Sequence, residues 1–237
     1  MLRAANKEPI MFLLDISSDD QKDVRVNNVK LETFQFDRQF RQREEKLLAG
    51  IDEAGRGSLA GPVVAACVIL PPNFNSKKIK DSKMMTSEER EEASMEIKKK
   101  AILYSISYAD HMEIDRYNIL QATYLAMKRA FSSLRFKPDT LLIDGPRAPI
   151  FCSKQHCVID GDKKSLTIGA ASILAKVFRD RFMKKYHRFY PKYGFDKHKG
   201  YFTALHRETL KLYGPCPIHR VSFSPIRELC FSEAELL

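Results

Sequence analysis

The chain has 237 residues, 44% of them hydrophobic, and a formal net charge of +10. That length suits one large domain with a proper core, and no apolar run approaches the roughly 18 residues that cross a bilayer. The five cysteines are odd in number and lack zinc-ligand spacing, and Met11–Leu14 is too short for a secretory core, so reduced thiols and a cytoplasmic setting are expected.

Residues 1–36 lack sustained periodicity and form an N-terminal extension with no assigned chemistry. Phe36, Phe40 and Leu47 have helical spacing, which predicts a short helix from Phe36 to Leu48. Leu48–Ala54 and Val63–Leu70 read as strands, the second fully apolar and therefore buried. The glycine-rich link between them predicts an antiparallel pair. Thr86 and Glu89 form a capping box for a helix running to about Lys100. Ile102–Ala109 alternates as a third strand. A long helix is expected from Asp115, with Ile119, Thr123, Met127, Ala130, Phe131 and Leu134 on one face, before Pro138 breaks the chain. Thr140–Ile143 is a short strand ending in Asp144-Gly145. Cys157–Ile159 is another, ending near Asp160-Gly161-Asp162. Ile168 to about Tyr190 reads as a helix that opens on small residues. The order predicts a mixed sheet with helices on it.

The charge is not spread evenly. Residues 1–47 hold nine basic and nine acidic residues, whereas residues 176–220 hold twelve basic and three acidic ones, a net of +9. Ten Phe and Tyr are interleaved with those cations. The pattern suits a nucleic-acid surface, on which cations meet phosphates and rings stack on bases or sugars. A solvated helix face over core aromatics would give the same count.

The acids recur at matching places. Asp52 and Glu53 end the first predicted strand, directly before Gly55-Arg56-Gly57. Asp144 ends the fourth, and Asp160 and Asp162 the fifth. Adjacent strands lie about 4.8 Å apart, so these carboxylates converge if strands one, four and five are neighbours. Converging carboxylates raise one another's pKa unless a cation intervenes. An all-oxygen set selects Mg²⁺ or Mn²⁺ over zinc, and two such ions about 4 Å apart drive in-line phosphoryl displacement. His156 is read as a core or surface residue. His198 and His219 are read as touching substrate or backbone, not metal. No dinucleotide or Walker pattern is present, so no nucleotide cofactor is expected.

Residues 50–62, Gly-Ile-Asp-Glu-Ala-Gly-Arg-Gly-Ser-Leu-Ala-Gly-Pro, closely resemble the first signature of the ribonuclease HII family, the type 2 ribonucleases H. Asp81-Ser82-Lys83, Ile114-Asp115 with Asn118-Ile119-Leu120, Gly161-Asp162, Ala170–Val177 with Arg179-Asp180, His198–Tyr201 and Pro217 with His219-Arg220 also resemble it, in order and spacing. The resemblance runs from about Asp37 almost to the C-terminus. It implies an α/β, RNase H-like fold with a mixed five-stranded sheet flanked by helices and a helical C-terminal extension. The implied division is 1–36 as extension, 37–190 as catalytic domain and 191–237 as substrate-binding segment.

The resemblance further implies a metal-dependent endoribonuclease, which cleaves the RNA strand of RNA–DNA hybrids and nicks 5′ of ribonucleotides in duplex DNA. Products would end in 3′-hydroxyl and 5′-phosphate, as ribonucleotide excision repair needs. Asp52, Glu53, Asp144 and Asp162 would be both catalytic residues and metal ligands. Gly55, Arg56, Gly57 and Tyr201 would read the junction between a ribonucleotide and the following DNA, with Lys83, Ser172 and Lys176 in supporting roles. The enzyme is expected to act as a monomer. The sequence departs from the family at three places. Ser58 replaces a proline and should loosen the turn, Asp160 adds an anion near the site, and Pro146 stands where asparagine is common. Two rival readings are a non-catalytic nucleic-acid-binding module and a different RNase H-like enzyme that cuts all-DNA substrates.

Overall fold

The computed structural model describes residues 32–41, 46–76, 78–79 and 82–232. Residues 1–31 of the extension, and Asp81, lie outside the described residues. The chain is helical over residues 32–40 (α1). There follow β1 (Leu48–Ala54), β2 (Val63–Ile69), α2 (Ser87–Lys100), β3 (Leu103–Ala109), α3 (His111–Ser132), β4 (Thr140–Asp144), β5 (Gln155–Val158), α4 (Gly161–Lys164), α5 (Leu166–Phe189), α6 (Phe195–His198), α7 (Ala204–Tyr213) and α8 (Ile226–Ser232). The strands form one mixed sheet in the order β3-β2-β1-β4-β5. β1–β2 and β2–β3 are antiparallel, while β1–β4 and β4–β5 are parallel.

Alternation along β2 sends its residues to two cores. Val63, Ala65, Cys67 and Ile69 meet α3. Val64, Ala66, Val68 and Leu70 meet α2 and α5. A smaller cluster joins Phe36 and Phe40 of α1 to Leu48, Leu142, Val158 and Ile168. α1 is held there by Asp37, a buried carboxylate accepting hydrogen bonds from the Ser165 hydroxyl (2.6 Å), the Thr167 hydroxyl (2.6 Å) and the Thr167 amide (3.0 Å) at the start of α5.

Some elements depart from expectation. α3 begins at His111, not Asp115, because Asp110 caps it and Glu113 returns the bond in a capping box. Asn118 interrupts it with φ 67°, and its side chain accepts from the Leu120 and Gln121 amides. Asp162 is not on β5. That strand stops at Val158, Asp160 takes a left-handed conformation, and Asp162 sits in the single turn of α4.

The C-terminal segment is attached through two arginines with no exposed surface. Arg179 of α5 donates to the carbonyls of Ala60, Pro62 and Lys199 and to the Ser58 hydroxyl. Arg220 donates to the carbonyls of Gly55 (2.8 Å), Arg56 (2.9 Å) and Gly61 (3.0 Å). Burial lowers the pKa of both, that of Arg220 to about 9. Ser58 therefore does not loosen the glycine turn. It is buried, and its hydroxyl donates within the turn to Gly55 (3.0 Å) or Ala60 (3.3 Å).

Three histidines fill the C-terminal cluster. The His219 Nδ1 accepts from the Cys216 amide (2.8 Å), so its Nε2–H points at His206 Nε2, 3.0 Å away. His206 in turn donates from Nδ1 to the Tyr201 carbonyl (3.0 Å). His198 accepts from the Gly200 amide and bonds the Tyr193 carbonyl, and its ring stacks on His206 at 4.4 Å. All three contact backbone and one another. The bonds of His219 and His206 require neutral rings.

Two predictions follow from these contacts. Gly55 has φ +98°, and an added Cβ would lie 1.9 Å from Arg179 Nε, whereas a Cβ at Gly57 meets nothing within 4 Å. Gly55→Ala should cost at least about 2 kcal/mol in urea unfolding and Gly57→Ala far less; equal costs would show that Gly55 is not constrained. Burial pushes His206 and His219 down to about 4. The unfolded rings titrate near pH 6.5, so the unfolded state binds more protons between about 6.5 and 4. Stability is full above that window and is lost as pH falls through it, by on the order of 2 kcal/mol per ring. Urea profiles at falling pH should drop more steeply for the wild type than for a His206→Gln/His219→Gln variant. Parallel profiles would mean the rings titrate normally in the fold.

Candidate active site

The parallel register pairs Ile51 with Ile143, so Asp52 and Asp144, the next residues, come side by side at the carboxyl end of the β1–β4 ladder. In open α/β sheets that carboxyl edge is where ligands gather. On the antiparallel side Asp52 faces Ala66, and two residues earlier Gly50 lets α5 approach: a Cβ there would lie 2.5 Å from the Thr167 and Ile168 backbone. The close approach brings Ser172 of α5 to Asp52. The Ser172 hydroxyl also meets that of Ser82 at 3.0 Å. Asp162 reaches the edge from α4, whose Gly161 amide donates to Asp144 Oδ1 (2.7 Å).

The four carboxylates border a cleft of about 480 Å³. Gly55, Arg56, Gly57, Lys83, Ser172, Lys176 and Tyr201 border the same cleft, so the residues that the resemblance assigns to catalysis, metal and substrate meet there. Asp160 does not join them. It is exposed and absent from the lining among the described residues, so it adds no anion to the cleft. Arg90 lines the cleft without having stood out in the sequence. It donates to the Ser82 (3.0 Å) and Met85 (2.5 Å) carbonyls and lies 4.0 Å from Asp180. Nothing in the helical spacing of α2 distinguishes it from a surface arginine.

The electrostatics are those of crowded anions. Burial, then Glu53, then Asp144 hold the Asp52 carboxyl well above its ordinary range. Burial raises Glu53, against the pull of Arg56, which lies 3.3 Å away; Asp144 adds to the rise. Burial raises Asp144 too, against the Gly161 amide, and Asp162 adds to it. Lys83 reaches Asp162 at 3.2 Å. Lys176 pairs with Asp180 (2.8 Å) and stands 5.5 Å from the Tyr201 ring centroid.

This donor set fits a hard divalent cation. The ligand atoms are all carboxylate oxygens, and burial first, then their neighbours' charge, raises the pKa values of Asp52, Glu53 and Asp144, an unfavourable anion environment that a cation would relieve. Among the described residues, no three Asp, Glu, His or Cys side chains form a ready-made coordination shell. Mg²⁺ keeps several waters and takes one or two carboxylates plus substrate phosphate, so the cleft need not supply a closed shell.

Residues 49–226 match the family model described as ribonuclease HII. A ribonuclease HII of Polaromonas sp. is 54% identical over 183 residues, covering 77% of this chain and 92% of the relative. The ribonuclease H2 of Pyrococcus horikoshii superposes with a TM-score of 0.69 at 25% identity, over 80% of this chain and 99% of that one. A Bst-RNase HIII solved with Mn²⁺ shares the fold at a TM-score of 0.63 and 17% identity, over 82% and 72% of the two chains. A mixed sheet with converging strand ends, matched over three-quarters of its length, thus has its place: the chain belongs to the ribonuclease HII family, the endoribonucleases that cleave RNA in RNA–DNA hybrids and ribonucleotides embedded in DNA.

Proposed function

We propose that the carboxylate edge is the cutting centre and that the glycine turn and Tyr201 read the nucleic acid. The observation that carries this is the meeting, at one cleft, of four acids from β1, β4 and α4 with the turn and Tyr201. Asp52, Glu53, Asp144 and Asp162 would hold Mg²⁺ or Mn²⁺. When bound there, such ions lower the pKa of an attacking water and neutralise charge on the departing 3′ oxygen. The Glu53 amide (2.6 Å) and Ser172 fix the orientation of Asp52, which would hold the ion together with the other three acids. Ser172 acts on Asp52 and Ser82, and this orienting contact is its supporting role.

Arg56 and Lys83 each pair with an acid at the cleft, and both stand at its mouth, where they meet the phosphates of the substrate. Gly55 and Gly57 bring the backbone close to the ribose 2′-hydroxyl, the group that tells RNA from DNA. Tyr201, with Lys176 beside it, packs on the following sugar and favours one without a hydroxyl. Cleavage falls 5′ of the ribonucleotide and leaves 3′-hydroxyl and 5′-phosphate ends. The enzyme works as a monomer in the cytoplasm, without a nucleotide cofactor, in removing ribonucleotides from DNA. The division into a catalytic domain (37–190) and a substrate-binding segment (191–237) follows the same split of labour. A protein that only bound nucleic acid would gain nothing from the repelling acids.

Asp52→Asn should lower kcat on an RNA–DNA hybrid by at least about 100-fold, close to 3 kcal/mol of barrier, with hybrid affinity nearly kept. Because the Asp52 charge is held against burial and repulsion, the same variant should melt higher than wild type in the absence of divalent ions. Normal turnover, or a lower melting temperature, would contradict the assignment. Mg²⁺ or Mn²⁺ added to the metal-stripped wild type should raise its melting temperature, and the rise should shrink in Asp144→Asn. An equal rise in both would place the ions elsewhere.

A further inference from the structure

The glycine turn and Tyr201 come from distant parts of the chain, and one side chain touches both. Arg179 Nε donates to Pro62 (3.0 Å), Nη1 to Lys199 (3.0 Å), and Nη2 to Ala60 (3.1 Å) and the Ser58 hydroxyl (2.5 Å). Its guanidinium lies 5.3 Å from the Tyr201 ring centroid, and Gly55 packs directly on its Nε. Ser58, in turn, is bridged to Tyr201 as an isolated antiparallel pair and passes its own hydrogen bond to the carbonyls of the turn. Among the described residues no carboxylate accepts a hydrogen bond from Arg179. A buried guanidinium thus directs three bonds to backbone carbonyls and one to the Ser58 hydroxyl, fixing one stretch of chain against another.

We propose that Arg179, relayed through Ser58, is the positioning residue that sets the gap between the glycine turn and Tyr201. That gap decides how strongly the enzyme prefers a single ribonucleotide followed by deoxyribose over continuous RNA. The inference rests on the reading, made above, that the turn and Tyr201 recognise the junction. A fixed gap rejects a second 2′-hydroxyl at the Tyr201 side. A loosened gap admits it and holds the junction less well. Cleavage of continuous RNA, which offers ribose at every register, suffers less.

The test compares kcat/KM on a duplex carrying one ribonucleotide with kcat/KM on a continuous RNA–DNA hybrid, alongside melting temperature, for wild type, Ser58→Ala, Arg179→Lys and Tyr201→Ala. Ser58→Ala removes one small hydroxyl and decides the matter even if Arg179→Lys fails to fold. The ratio should fall about tenfold in Ser58→Ala, the size of one hydrogen bond to a charged group, and at least as far in Arg179→Lys if it folds. A merely structural role would lower the melting temperature and depress both activities together. A Ser58→Ala ratio within about twofold of wild type overturns the proposal. If Tyr201→Ala nevertheless shifts the ratio, only the Arg179 tie is wrong. If Tyr201→Ala leaves it unmoved, the junction reading fails and takes this inference with it.

Discussion

Four carboxylates cannot be gathered at one edge of a sheet without a scaffold that refuses to let them part. The parallel pairing of β1 with β4 is that scaffold. It brings Asp52 and Asp144 side by side at the carboxyl end of the ladder. Burial first, then neighbouring carboxylates, raise the pKa values of Asp52, Glu53 and Asp144 there. Much of the architecture opposes that rise. Gly50 lets α5 sit against β1 so that Ser172 reaches Asp52, and the Gly161 amide turns toward Asp144. Asp37 ties α1 to the first residues of α5. This contact lies before the stretch that the family model matches, yet it anchors the helix that orients the site.

The side of the cleft formed by the glycine turn and Tyr201 is built on the opposite electrostatic plan. Arg179 and Arg220 are buried cations satisfied by carbonyl oxygens, six of them contributed by residues 55–62 and Lys199. Burying a guanidinium without a carboxylate is costly, and it is tolerated only where nearly every N–H finds an acceptor. Here the acceptors are the backbone of the glycine turn itself. The turn cannot relax without leaving a buried charge unsatisfied. That coupling joins the C-terminal segment to the edge of the sheet.

The local signals proved legible where one residue type has one physical use. β1 ran over the expected residues, Leu48–Ala54, because an apolar run ended by paired acids and a glycine turn has few other solutions. The capping box at Thr86 and Glu89 opened α2 as read. Ambiguity entered where polar residues had two uses. Asp110 and Glu113 began α3 a full turn early because their cap was hidden among polar neighbours. Asp162 looked like a strand end and is helical, since the left-handed Asp160 breaks the strand first. The missing proline at Ser58 was read as a loss of rigidity, but the hydroxyl it supplies is bonded on both sides. No local pattern reveals that contact, because Arg179 lies 121 residues away.

The basic stretch shows why a charge count overstates a binding surface. Of the twelve cations between residues 176 and 220, Arg179 and Arg220 are structural and see no solvent. Arg181 is paired with Glu91 and Lys176 with Asp180. Lys199 is half-buried and donates to the Asp196 and Lys197 carbonyls, and Lys184, Lys185, Arg188, Lys192, Lys197, Arg207 and Lys211 remain exposed. Only those seven are left to contribute to a long-range positive field of the kind that attracts polyanions. The aromatics divide in the same way. Tyr193 and Phe195 stack inside the histidine cluster, while Tyr201 stands at the cleft. A single stretch thus carries both the buried glue of the C-terminal segment and a set of exposed cations. Composition sees their sum, and only the packing separates them.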